Sequence, residues 1–221
     1  KPFWSPSFFT IHEFFALSTN LKIADPFTQF FTLYQQYNKL LRLAGGDGME
    51  LHKFYPIARI ILSDFSQLDN DLVDAEKLFR ELEDIAEIDY QFDYLSEEQQ
   101  NFLKGFWQSY SEGKQKRQQE QFIKMWRRMP ELYHDFHEAL KEKGLITMGQ
   151  VYRQLAAQQE TVADFTKPFE QGKLVFVGFN ALTQAEAIVF KRWQDEGKAI
   201  FYFDTDIYYI NDKSQEAGLF L

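Results

Sequence analysis

Two short apolar runs, Lys173 to Asn180 (KLVFVGFN) and Ala199 to Asp204 (AIFYFD), flank a stretch of helical periodicity. The first run is an almost unbroken series of aliphatic and aromatic residues, the pattern of a strand covered on both faces. Thr183 is placed to cap the intervening helix, Ala187, Ile188, Phe190 and Trp193 supply its apolar stripe, and Gly197 marks its end. Strand, helix and strand in this order predict a β-α-β unit with a right-handed crossover and parallel strands. Gly178, Phe179 and Asn180 then lie beside Asp204, Thr205 and Asp206 at the carboxyl edge of the sheet. That edge is where ligands bind in open α/β sheets.

Most of the chain before this unit reads as helix. Ser7 to Phe15 opens with a short apolar stretch compatible with a strand and passes into a helix after Thr10. Asp25 and Pro26 suit the N-cap and first position of a helix whose apolar face is Phe27, Phe30, Phe31, Tyr34, Tyr37, Leu40 and Leu41. The Gly45-Gly46-Asp47-Gly48 cluster ends it as a turn, since no GxxxxGK[ST] phosphate loop is present. From Met49 to Ile88 the pattern stays helical, with Pro56 near a helix start and Ile57, Ile60, Ile61, Leu62 and Phe65 as apolar positions. Ser96 and Gln99 form a capping box for the next helix, Pro130 starts another, with Leu132, Tyr133, Phe136 and Leu140 apolar, and Thr147 caps one more. The fold class expected is α/β with a large all-α part.

A formal charge of −9 over 221 residues argues against a generally cationic, nucleic-acid-coating surface. One local exception stands out: Lys114, Lys116, Arg117, Lys124, Arg127 and Arg128 interleave with Phe122, Met125 and Trp126. Cations beside rings suit a single-stranded nucleic-acid track, and they equally suit an amphipathic helix with its aromatics in the core. With 45% hydrophobic and 18% aromatic residues the chain has ample material for a core. Cysteine is absent, which removes disulfides, thiolate catalysis and Cys-based zinc sites. No apolar run approaches the about 20 residues of a membrane span, and no signal-peptide pattern opens the chain. A soluble, cytoplasmic protein without membrane contact is expected.

Residues with the chemistry for catalysis or metal binding do not assemble into a recognised pattern. The Asp69-x-Asp71-x-x-Asp74 spacing lacks the glycine and terminal Glu of a calcium loop, so these acids read as an exposed helix face. His134 and His137 stand three apart with no Cys or HExxH partner and read as exposed histidines. Glu196-Gly197-Lys198 matches half of a PD-(D/E)XK nuclease pattern, yet the preceding strand supplies no carboxylate to share a metal ion. No G-x-S-x-G nucleophile elbow occurs. Neither catalytic residues, metal ligands nor a cofactor are therefore assigned to this chain.

Val175 to Thr183 (VFVGFNALT) followed by Ala199 to Ile210 (AIFYFDTDIYYI) resembles the consecutive strand motifs of UvrD-type superfamily I helicases. In that family the first strand ends in an Asp-Glu pair that handles Mg and water, and the second runs into Gly-Asp, a Gln and often a Tyr. Here Gly178 and Phe179 stand where the acids would be, and neither offers the oxygen ligand a hard cation needs. The resulting GF-x-x-x-T segment is similar to AddB-type proteins, the inactivated helicase-like partners in helicase-nuclease complexes. Thr10-Ile11-His12-Glu13-Phe14 is similar to a Thr-x-His-x-Phe motif that helps contact single-stranded DNA in the helicases, which implies contacts at Thr10 and His12. Leu132 to Leu155 resembles the segment before the acidic strand, with Ile146 to Val151 replacing its acidic DF-x-DLL.

What the resemblance implies is a degenerate nucleotide and Mg edge at Gly178, Phe179, Asn180, Asp204 and Asp206. It implies residues 1–15 and 169–221 as parts of a truncated RecA-like (P-loop NTPase-like) domain, with 16–168 as a helical insertion. A two-stranded parallel unit leaves edges unpaired, and the chain reads as a piece of a longer protein whose nuclease domain would lie beyond Leu221. The expected role is a noncatalytic scaffold in a bacterial DNA-repair and recombination exonuclease complex, binding DNA, single-stranded above all, or a helicase-nuclease partner subunit. The alternatives are a nucleotide-dependent ATPase or helicase segment and a purely structural helical interaction module.

Overall fold

A computed structural model describes residues 6–43, 45–79, 127–169, 173–179 and 181–203. The chain divides into two compact units. The first comprises Lys1–Ile23, Ser66–Leu72 and Ile146–Leu221, and the second comprises Ala24–Phe65 and Val73–Leu145.

In the first unit, α1 (Ile11–Ala16) is short, and its start is specified locally by a Thr10–Glu13 capping box. Residues 6–10 form no strand, and Phe8 and Phe9 are exposed. The apolar stretch before Thr10 therefore has no ladder partner, and the expectation of a strand there is corrected. Lys22–Ile23 (β1) pairs with Leu145–Ile146 (β2), two residues each. Thr147 caps the helix Met148–Ala156, with its side chain accepting from the Gln150 amide. A 3₁₀ turn at Lys167–Phe169 precedes β3 (Leu174–Val177), and β4 (Ala199–Tyr202) follows the helix Gln184–Asp195.

The two strands are parallel, in register Leu174 with Ala199 through Val177 with Tyr202. The fold is thus mostly helical with a small parallel β-α-β element, as the C-terminal pattern predicts. Two expectations about that element change. Phe176 is buried on the face that packs with Phe190 and Trp193, but Val175 and Val177 on the other face are 57% and 66% exposed. Among the described residues the strand is covered on one side, because alternate residues point to opposite faces and the Gln184–Asp195 helix, with Phe14 of α1, packs on one of them. The buried stripe of the Gln184–Asp195 helix is Ala185, Glu186, Val189, Phe190 and Trp193, while Ile188 is exposed. Spacings of three and four residues place these on one side, which includes the expected Phe190 and Trp193, whereas Ala187 is half-buried and Ile188 lies off the stripe. Phe14, Phe15, Tyr152, Leu155, Phe176, Val189, Phe190 and Trp193 form the core of this unit.

Among the described residues the second unit contains α2 (Pro26–Leu43), residues 51–65 of α3 (Leu51–Asn70), a helical turn at 75–79 and the helix Met129–Lys141 (α4). Helices α5 (Met148–Ala156) and α6 (Gln184–Asp195) belong to the first unit. Asp25 caps α2 through its Oδ1, which accepts from the amides of Phe27 and Thr28. The buried face of α2 is Thr32, Leu33, Tyr37, Asn38 and Leu40, whereas Phe27 is 76% exposed and Phe31 is also exposed. Tyr37 and Leu40 of the expected face are buried and Phe30, Tyr34 and Leu41 half-buried, while Phe27 and Phe31 fall on the side turned to solvent. Leu132, Phe136 and Leu140 bury the facing side of α4, while Tyr133 is half-buried with its ring edge-on to Phe65 at 5.1 Å. Pro56 lies inside α3, removing one amide donor without ending the helix.

Among the described residues from 25 to 140 the regular elements are all helices. The helix expected from Ser96, and the cations Lys114, Lys116, Arg117 and Lys124 with Trp126, lie outside the described residues. Among the described residues no helix is long and apolar enough to cross a membrane.

Candidate functional site

The carboxyl edge of β3–β4 collects the first group of candidates. The Gly178 amide donates to the Tyr202 carbonyl at 3.3 Å, the last rung of the ladder. Gly178 has φ +82°, a left-handed conformation that L side chains rarely adopt, so a carboxylate-bearing residue there would be strained. Phe179 is partly buried, with its ring 5.2 Å from Phe190 and 6.2 Å from Phe176. Phe179 is therefore packed against the apolar core and presents no oxygen ligand. Asn180, Asp204 and Asp206 lie outside the described residues.

Helix α6 begins at this edge, and its first turn is closed on itself. Thr183 Oγ1 accepts from the Glu186 amide at 3.3 Å, and Glu186 Oε2 accepts from the Thr183 amide at 2.8 Å and its hydroxyl at 3.1 Å. The capping box engages the amides of Thr183 and Glu186, and the Glu186 carboxylate adds negative charge where an anion would approach. Glu186 is buried, and beside it lies the buried hydroxyl of Tyr152 without a well-formed hydrogen bond. Burial first, and then the Glu186 carboxylate, hold that hydroxyl well above the ordinary tyrosine range. Tyr152 in turn packs on Phe15 at 4.7 Å and on the exposed His12 at 5.6 Å. A chain of contacts thus joins His12, Tyr152, Glu186 and Thr183 within the first unit. Thr10 is exposed, but its hydroxyl is engaged by Glu13.

Of the acids at and beyond the end of α3, Asp71 and Asp74 are exposed as expected, but Asp69 is not. Asp69 is only 1% exposed, and its Oδ1 accepts from Arg153 Nε at 2.9 Å and from Gln150 Nε2 at 2.7 Å. Arg153 Nη2 also donates to the Leu68 carbonyl at 2.6 Å. A Cβ on Gly149 would stand 2.8 Å from the Asp69 Cβ, so the close approach of these segments depends on that glycine. The reading of Asp69 as part of an exposed acidic helix face is corrected. The sequence signal for it is a glycine in the first turn of a capped helix, followed by Gln150 and Arg153 three apart on one side.

In the second unit Asp64 lines a cleft of about 480 Å³ with Tyr55, Pro56, Arg59, Ile60 and Ser63, and burial alone pushes its carboxyl upward. These residues all belong to one helix and offer a single carboxylate. His134 is exposed as expected, but His137 is half-buried, with Nδ1 at 2.9 Å from the Tyr133 carbonyl. Of the basic candidates, Arg127 is exposed and Arg128 is half-buried, donating to the Leu40 carbonyl. Among the described residues no group of His, Asp or Glu is arranged to hold a metal ion.

No family model, curated protein or solved structure matches this chain.

Proposed function

We propose that this chain is a noncatalytic, helicase-like scaffold of a bacterial DNA-repair exonuclease complex, engaging single-stranded DNA or a partner subunit. The observation that carries the reading is Phe179. At the end of a parallel strand, where the resembling helicases place an acid for Mg and water, its ring packs on Phe176 and Phe190. Phosphoryl transfer relies on a metal ion held by oxygen ligands and on a positioned water, and an apolar ring supplies neither. The closed first turn of α6 points the same way, because its own Glu186 takes the place of an external anion.

The RecA-like assignment rests on the β-α-β element together with its place in the chain. Lys1–Ile23, Ser66–Leu72 and Ile146–Leu221 share one compact unit, while Ala24–Phe65 and Val73–Leu145, two stretches lying between these in sequence, form another. An α/β domain interrupted by a helical insertion has this organisation.

Single-strand binding is measured by fluorescence anisotropy as salt is raised, with Lys124→Glu and Arg127→Glu introduced together. Arg128 is left intact because its bond to the Leu40 carbonyl gives it a structural role. Affinity should fall steeply with salt, and the double variant should flatten the logarithmic slope by about 1.4, near 0.7 for each of two phosphates of a single strand left without its cation. An unchanged slope removes this segment from the DNA interface. No binding at low salt by folded protein removes DNA altogether and leaves the partner-binding form of the scaffold, tested by co-elution with the nuclease subunit.

A further inference from the structure

We draw no further inference here: the strongest candidate, the open face of the β3–β4 sheet where Val175, Val177 and Tyr202 are exposed opposite the face that α6 covers, carries nothing because nothing in the structure shows what covers it.

Discussion

Replacing Gly149 by alanine tests the packing around Asp69 with a single methyl group. In an ordinary helix this change stabilises by up to about 1 kcal/mol, because glycine carries the larger entropic cost. Here the new Cβ would lie 2.8 Å from the Asp69 Cβ, 3.1 Å from its Oδ2 and 3.4 Å from its Cγ. Asp69 has little room to retreat, since Arg153 and Gln150 hold its Oδ1 and the side chain is buried. Overpacking at a close approach costs about 1–3 kcal/mol. Displacing the carboxylate weakens hydrogen bonds to a charged group, each worth about 1.5–3 kcal/mol. The unfavourable effects exceed the propensity gain, and a net loss of about 2 kcal/mol follows from these ranges. Urea unfolding followed by tryptophan fluorescence reads it, Trp193 being in the core of this unit. With a slope of about 2 kcal/mol/M the midpoint should fall by about 1 M at unchanged slope. A midpoint equal to or above the parent's would show that the segments do not approach as described.

Two further outcomes follow from titratable groups. The Asp64 carboxyl is raised by burial alone, so the unfolded chain ionises first as pH rises and stability falls through the window between the ordinary and the raised value. Asp64→Asn should therefore raise the thermal midpoint at pH 7 and lose that advantage near pH 3; equal midpoints at pH 7 would contradict the burial. Tyr152 is also raised, so the unfolded state releases its proton first above about pH 10, and stability declines as pH climbs beyond that point. Tyr152→Phe should reduce this alkaline loss in denaturation curves taken between pH 8 and pH 11, and identical pH dependence in the two proteins would refute it.

The features legible in the sequence are those that arise within a few residues. Thr10, Thr147 and Thr183 cap their helices through bonds to amides three positions on, and no distant segment is needed to specify them. The parallel pair follows from two apolar runs separated by a helix, and Gly197 ends that helix with φ +69°. Long-range packing explains what was not legible. Ile188 looks as apolar as Val189, and only the position of the sheet decides which of them is covered. Asp69 looks like its neighbours Asp71 and Asp74, and its burial depends on Arg153, 84 positions away. Gln150 stands where a capping-box glutamine would reach back to Thr147, yet its amide donates to Asp69 instead. At the candidate site, Gly178 and Phe179 were visible as residues without an oxygen-bearing side chain. The neighbouring Tyr152–Glu186 contact was not, because helices α5 and α6 bring together two residues far apart in the chain.

The central proposal is that the carboxyl edge of β3–β4 does not support metal-dependent phosphoryl transfer. Its most direct measurement is release of inorganic phosphate from ATP by the purified chain, with Mg and with and without single-stranded DNA. Phosphate release is expected at the buffer background under every condition, unchanged by Asp204→Ala. Turnover above background that requires Mg and disappears with Asp204→Ala would contradict the claim and place a working nucleotide site at this edge.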